Sequence, residues 1–489
     1  MEIPAATRTD LGGPFGILLA MAASCLLFRH FAAKKRFAGL PPGPPPLPFF
    51  GNMLQVDVKE LIPSLREQDL RAPVHRPPGL PALRGPLGLP GAEGGPDRQS
   101  RGVQWPGGLS CCPDVEQRKR HRVRDRGALE AAAQVCHRDP EEFRDGEAVH
   151  GAADQGGGPV PGVRVPQNPS CAGSNIICSL VFGERFEYTD EAFLTLLDLI
   201  NSNWKLMSST WGQLLFVFPN VMRCLPGPHQ RIYANYLKLA KFVGQRLERN
   251  RQTLDPNCPR DFIDCFLIKI QQEKGNASSH FTEETMSKTT VNLFFAGTET
   301  VSSTLRYGLL ILLRHPEVEE KLHEEIDQVI GGNRAPCMDD RSQMPYTDAV
   351  IHEIQRYADI VPMGVPHTVT RDIEFRGYRL PKGLNVIPLL CTSQFDPTQF
   401  KNPQAFDPTH FLDESGGFRR REAFMAFSAG KRVCLGEGLA NMELFLFLTT
   451  ILQNFRLKAL TDPSAIDISP ESTGLGSIPR PYQLCLLPQ

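Results

Sequence analysis

Apolar residues are distributed unevenly along this chain, and their spacing predicts most of its architecture. Gly12 to Phe28 is an apolar run of 17 residues without a charge. As a helix it rises about 25 Å, at the short end of what crosses a bilayer core. Arg29, His30, Lys34, Lys35 and Arg36 follow at once, and such a cluster holds to the cytosolic side. Because the basic residues follow the run instead of preceding it, a retained membrane anchor is favoured over a cleaved signal peptide. Pro41 to Pro48 then forms a stiff extended spacer that cannot be helical.

From Ser174 onward the apolar positions recur at three- and four-residue intervals, the period of helices buried on one face. The spacing predicts helices over Phe193–Ile200, Ile232–Leu247 and Phe262–Gln272, then a much longer one from Thr282 to Arg314. Glu283 and Glu284 sit in the first turn of that long helix, and Pro316 stops it. Further helices are expected over Pro316–Ile330, Thr347–Tyr357 and Leu439–Phe455, with strand-like pieces at Ile373–Leu380 and Asn385–Leu390. The fold class is mainly α with a minor β-sheet.

Between these regions, residues 69–170 differ in composition. They hold 16 Gly, 14 Pro and 13 Arg against a single Lys, with no Ile, Tyr or Met, and Phe143 as their one Phe. Too little apolar material is present there to offset the entropy of ordering. A long linker is one reading. Translation out of frame from GC-rich coding sequence, which over-produces Gly, Pro, Arg and Ala, is the one the composition favours. The expected organisation is therefore an anchor over 1–40, a proline hinge over 41–50, the start of a catalytic domain over 51–68, the aberrant segment, and the catalytic domain proper over 171–489.

Charge narrows the function. A net charge of −1 and a pI of 6.9 exclude the basic balance of a nucleic-acid binder. Thirteen irregularly spaced cysteines, an odd number, argue for reduced thiols facing the cytosol. The sequon at Asn276 is then without consequence.

Three patterns carry chemistry. The first is Phe427-Ser-Ala-Gly430-Lys-Arg432-Val-Cys434-Leu-Gly436. It places a thiol in a tight glycine-flanked loop, just before a helix whose positive N-terminal end lowers a thiol pKa. The second is Ala296-Gly297-Thr298-Glu299-Thr300, with a glycine inside the long helix where it costs about 1 kcal/mol relative to alanine. The third is Glu353-Ile-Gln-Arg356, an acid and a base on one helix face.

Together, with the Gly297 pattern first along the chain, the Glu353–Arg356 pair next and the Cys434 loop last, these patterns resemble the cytochromes P-450, whose haem-binding signature is F-x-x-G-x-R-x-C-x-G. The likeness runs from the anchor to Gln68 and again from Ser174 to the C-terminus. Phe427-Ser-Ala-Gly and Pro345-Tyr-Thr-Asp-Ala-Val-Ile-His-Glu-Ile-Gln-Arg356 are similar to the second, xenobiotic-metabolising family of microsomal members. The resemblance implies a P-450 fold holding haem b, with Cys434 as axial iron ligand. It implies Phe427, Gly430 and Gly436 around that ligand, and Arg432 and His367 at the haem propionates. Gly297 is expected to open an oxygen notch, Thr300 to hydrogen-bond the bound oxygen and Glu299 to relay protons. Glu353 and Arg356 would form a structural triad with His410. Phe294, Phe295, Val361, Met363 and Gly364 would line the substrate side.

The implied activity is insertion of one oxygen atom from O2 into small lipophilic compounds. Electrons would come from NADPH through NADPH–cytochrome P-450 reductase, with a b-type cytochrome as a second donor, at the endoplasmic reticulum membrane with the catalytic domain facing the cytosol. Lys431, Arg419, Arg420 and Arg421 would offer the acidic reductase a basic surface. One family feature is missing. Trp105, Trp204 and Trp211 are followed four residues later by Leu109, Ser208 and Leu215, so the W-x-x-x-R propionate clamp is absent. A catalytically inactive, haem-deficient relic is accordingly the second expectation.

Overall fold

The computed structural model describes residues 170–489 together with the backbone of two short strands, β1 (Val103–Gln104) and β2 (Val163–Arg164). The expected anchor, hinge and nearly all of the aberrant segment lie outside the described residues. Among the described residues no helix is long and apolar enough to cross a membrane.

Eleven described helices follow in chain order: α1 (Ser170–Phe182), α2 (Glu191–Ser208), α3 (Thr210–Val217), α4 (Pro219–Met222), α5 (Gln230–Gln252), α6 (Phe262–Gln272), α7 (Glu283–Arg314), α8 (Pro316–Val329), α9 (Pro345–Ala358), α10 (Leu390–Gln394) and α11 (Glu437–Asn454). Local chemistry sets their ends. The Asp190 carboxylate accepts the amides of Ala192 and Phe193 and starts α2 two residues before its first apolar position. Thr282 caps α7 by accepting the Thr285 amide at 3.1 Å, and Glu283 and Glu284 complement the positive end of the helix. Pro316 and Pro345 open α8 and α9, where a missing amide hydrogen costs nothing.

The described residues fall into two compact units. In the larger one, α7 belongs to two apolar clusters. Its C-terminal half packs Leu305, Ile311 and Leu312 with Leu322, Ile326, Val350, Ile354, Leu444 and Phe445 of α8, α9 and α11. Its N-terminal half packs Phe294 with Phe182, Phe193, Ile200, Val243, Ile263 and Phe266 of α1, α2, α5 and α6. Each such side chain, fully buried, stabilises the fold by about 1.5–3 kcal/mol. A third, smaller cluster joins Ala349 to Phe400, Phe411, Ala423 and Phe424. Four further strands of this unit are β7 (Phe455–Ala459), β8 (Pro470–Thr473), β9 (Ser477–Pro479) and β10 (Leu484–Pro488). β10 lies antiparallel between β2 and β7, and β8 pairs with β9 as a hairpin.

The smaller unit contains His367–Val386. Within it, β3 (His367–Val369) pairs with β1 and β6 (Asn385–Val386), and β4 (Ile373–Phe375) turns onto β5 (Tyr378–Leu380). Arg376 at φ 52 and Gly377 at φ 79 make that turn, both in the left-handed region that a two-residue hairpin requires.

The mainly helical class with small sheets agrees with the sequence, and α6 has the bounds expected from periodicity. The piece expected as a strand over Asn385–Leu390 is shorter. Pro388 cannot donate to a ladder, and Leu390 already begins α10. The β7–β10 pairing joins segments far apart in sequence and left no periodic signal.

Candidate active site

The signature loop is held by its own backbone. Ser428 at φ 63 and Gly430 at φ 72 reverse the chain, Gly430–Arg432 makes a single 3-10 turn, and the Cys434 amide donates to the Phe427 carbonyl at 2.8 Å. α11 starts three residues after the cysteine. Cys434 is a free thiol on the exposed side of the loop, Leu435 beside it is 85% exposed, and Val433 is exposed too. Two apolar side chains left open around one thiol form a surface suited to an apolar partner. A Cβ placed at Gly430 or Gly438 would meet nothing within 4 Å. A soft sulfur donor with open space at neighbouring glycines fits an iron porphyrin on its axial side.

Burial pushes the Cys434 thiol up from its ordinary value; the backbone amides of Gly436 and Glu437 pull it down, and the Glu437 carboxylate pushes it up again. The helix N-terminus does act on the sulfur, but burial outweighs it.

α7 places the second group. The helix runs without a break, and a Cβ at Gly297 would collide with the side chain of Ile177 on α1. Gly297 is a close-packing position against α1. Thr300 Oγ1 donates to the Ala296 carbonyl at 2.7 Å. Asn292 and Ala296 are exposed and Thr300 is half-buried, and successive fourfold steps put all three on one face. Phe294, expected on the substrate wall, points the other way. It is 2% exposed and meets Phe182 edge-on at 5.8 Å, because two positions along a helix rotate a side chain by about 200°. Phe295 remains half-buried and meets Trp204 at 6.0 Å.

Glu299 is buried, and its Oε1 has no hydrogen-bond partner. Burial pushes its carboxyl up to about 7, with the Arg306 and Lys205 charges pulling less strongly the other way. It can hold a proton near neutrality.

The strongest charge cluster is on α9. Glu353 and Arg356 are both fully buried and share two bonds of 2.7 Å. Arg356 also donates to the carbonyls of Gln394, Pro403 and Ala405 at 2.9, 2.8 and 3.0 Å. Glu353 accepts the Asp407 amide at 2.9 Å and meets His410 Nδ1 at 3.2 Å, while His410 Nε2 lies 2.6 Å from the Lys401 carbonyl. One helix is thereby tied to the end of α10 and to the chain between Pro403 and His410.

Val361 and Met363 are half-buried after α9, and Gly364 takes φ 60 where a Cβ would press on Pro388. The β8–β9 hairpin binds the end of α9, with the Ser477 amide donating to Ile360 and its hydroxyl to Asp359. Gly476 at the hairpin tip packs so closely on the Trp204 indole that no side chain fits. Gly476 had no signal of its own in the sequence. His367 opens β3 in the smaller unit, and Arg432 closes the 3-10 turn before the cysteine. Arg420, from the expected basic surface, pairs with Glu437 at 3.0 Å.

This arrangement is that of a helical haem-thiolate protein. The family model described as Cytochrome P450 matches residues 151–486, and the chain belongs to that family, whose cofactor is haem b. Within the family the similar relatives are of the second, microsomal group. Rabbit (Oryctolagus cuniculus) Cytochrome P450 2G1 is 46% identical over 513 aligned residues, covering 98% of this chain and 99% of the relative. Human (Homo sapiens) Cytochrome P450 2C8 is 43% identical, covering 97% and 99%. Mouse (Mus musculus) Cytochrome P450 2F2 is 54% identical over 313 residues, and that match spans 64% of each chain.

Proposed function

We propose that this chain is a haem-thiolate monooxygenase that inserts one atom of O2 into small lipophilic substrates. Its electrons would come from NADPH through a flavoprotein reductase, with a b-type cytochrome as a second donor. The observation that carries this reading is the loop from Phe427 to Gly436, which presents one free thiol at the head of α11, stapled by the Cys434 amide to the Phe427 carbonyl. When bound, haem b supplies the redox chemistry and the iron at which dioxygen is activated.

The chain's own groups do the rest. Cys434 would hold the iron and Arg432 a propionate, and the family resemblance gives His367 the same role as Arg432. Thr300 offers a hydroxyl at Oγ1 on the open face of α7, and Glu299 keeps a proton at its carboxyl near neutral pH. Phe295, Val361, Met363 and Gly364, joined by Trp204, exclude water from the substrate side. Glu353, Arg356 and His410 brace the loop beneath the cofactor. The residues before the catalytic domain tether it to the endoplasmic reticulum membrane, on the cytosolic face. The test is oxidation of a lipophilic probe by the haem-loaded full chain with reductase and NADPH. Product that disappears without the reductase supports the proposal, and product formed equally without it contradicts it.

A second reading, a relic that cannot retain haem, is favoured by the missing W-x-x-x-R pair. Each charge-assisted hydrogen bond lost is worth about 1.5–3 kcal/mol. A full chain that takes up no haem from solution would support that reading over the first.

A further inference from the structure

We propose that His352 is a positioning residue that sets the geometry of the Cys434 loop through a stack of phenylalanine rings. This rests on the reading of Cys434 as the iron ligand. His352 lies on α9 and is 5% exposed. Its Nδ1 donates to the Asp348 carbonyl at 2.8 Å and lies 3.3 Å from the Asp348 carboxylate, which Arg341 grips at 2.7 Å. The imidazole is thus fixed in tilt from one side.

On its other sides stand three rings from the segment that leads into the loop. Phe418 is 4.6 Å away, Phe424 5.1 Å and Phe411 5.5 Å, centre to centre. Phe424 meets Phe427 edge-on at 6.4 Å, and the Phe427 carbonyl accepts the Cys434 amide. A contiguous path of close contacts therefore runs from a side chain locked on α9 to the backbone bond that holds the thiol. Packed interiors transmit a displacement instead of absorbing it, so removing the central ring lets Phe424 and Phe427 relax.

Amide hydrogen exchange on the full chain reads the bond directly and needs no haem. For His352→Leu the account expects exchange at the Cys434 amide about fivefold faster, the factor that one weakened hydrogen bond is worth. Protection in α9 and α11 should stay at the parent's level. His352→Phe keeps a ring and should restore the loop, whereas His352→Asn keeps a donor without the ring and should not. An unchanged Cys434 amide in His352→Leu contradicts the inference. So does a uniform rise across α9, α11 and the loop, which marks a plain packing role. Rescue by Asn and not Phe contradicts it as well, since the ring contacts would then be idle. Failure of the ligand assignment would appear elsewhere, as a haem spectrum indifferent to Cys434→Ser.

Discussion

Replacing Arg356 by methionine keeps most of its volume and removes its charge and all five of its donated bonds. Two of those bonds run to Glu353 and three to the carbonyls of Gln394, Pro403 and Ala405. Breaking a buried ion pair from one side costs about 3–5 kcal/mol, because the remaining charge is left in a dry interior. Glu353 keeps the Asp407 amide and His410, which places the carboxylate's share toward the lower end. The three orphaned carbonyls push the total back up. A loss of about 3–5 kcal/mol is a large fraction of a typical folding margin of 5–15 kcal/mol. Urea unfolding followed by far-ultraviolet circular dichroism measures it, as a fall in midpoint at unchanged slope. The double variant Glu353→Gln/Arg356→Met should recover part of the loss, since it buries no charge. A single variant within about 1 kcal/mol of the parent, the level of an exposed pair, would refute the reasoning.

His410 gives a pH test. Burial pushes its imidazole down, but the hydrogen bond and charge of Glu353 outweigh that and raise it above its ordinary value of 6.5. Its contribution is complete below that value and is lost as pH rises through the raised one. His410→Arg should flatten the stability profile above pH 6.5, as measured by urea midpoints across a pH series. For Gly297→Ala, collision with Ile177 should destabilise by about 1–3 kcal/mol, despite the gain in helix propensity. Trimming the colliding group with Ile177→Val should make the double variant better than the sum of the two singles.

Where residues act through sequence neighbours, the chain was readable. The E-x-x-R spacing places acid and base on one face of α9, and the structure joins them to His410. The signature loop rests on glycines and a short turn, both local. What escaped depends on docking. Which face of α7 stays open is set by where α1 and α5 pack, so Phe294 lies in the core while Ala296 is exposed. Trp204 meets Gly476 across a sequence gap that no period bridges. A helix end beside the thiol is visible in sequence, whereas the burial that acts against it is not.

The central claim concerns the bond between one sulfur and iron, and the ferrous carbon-monoxide difference spectrum reads it most directly. The haem-loaded parent chain should show the thiolate-type Soret shift, and Cys434→Ser should lose it. A serine variant with the parent's haem content and the same spectrum would contradict the account.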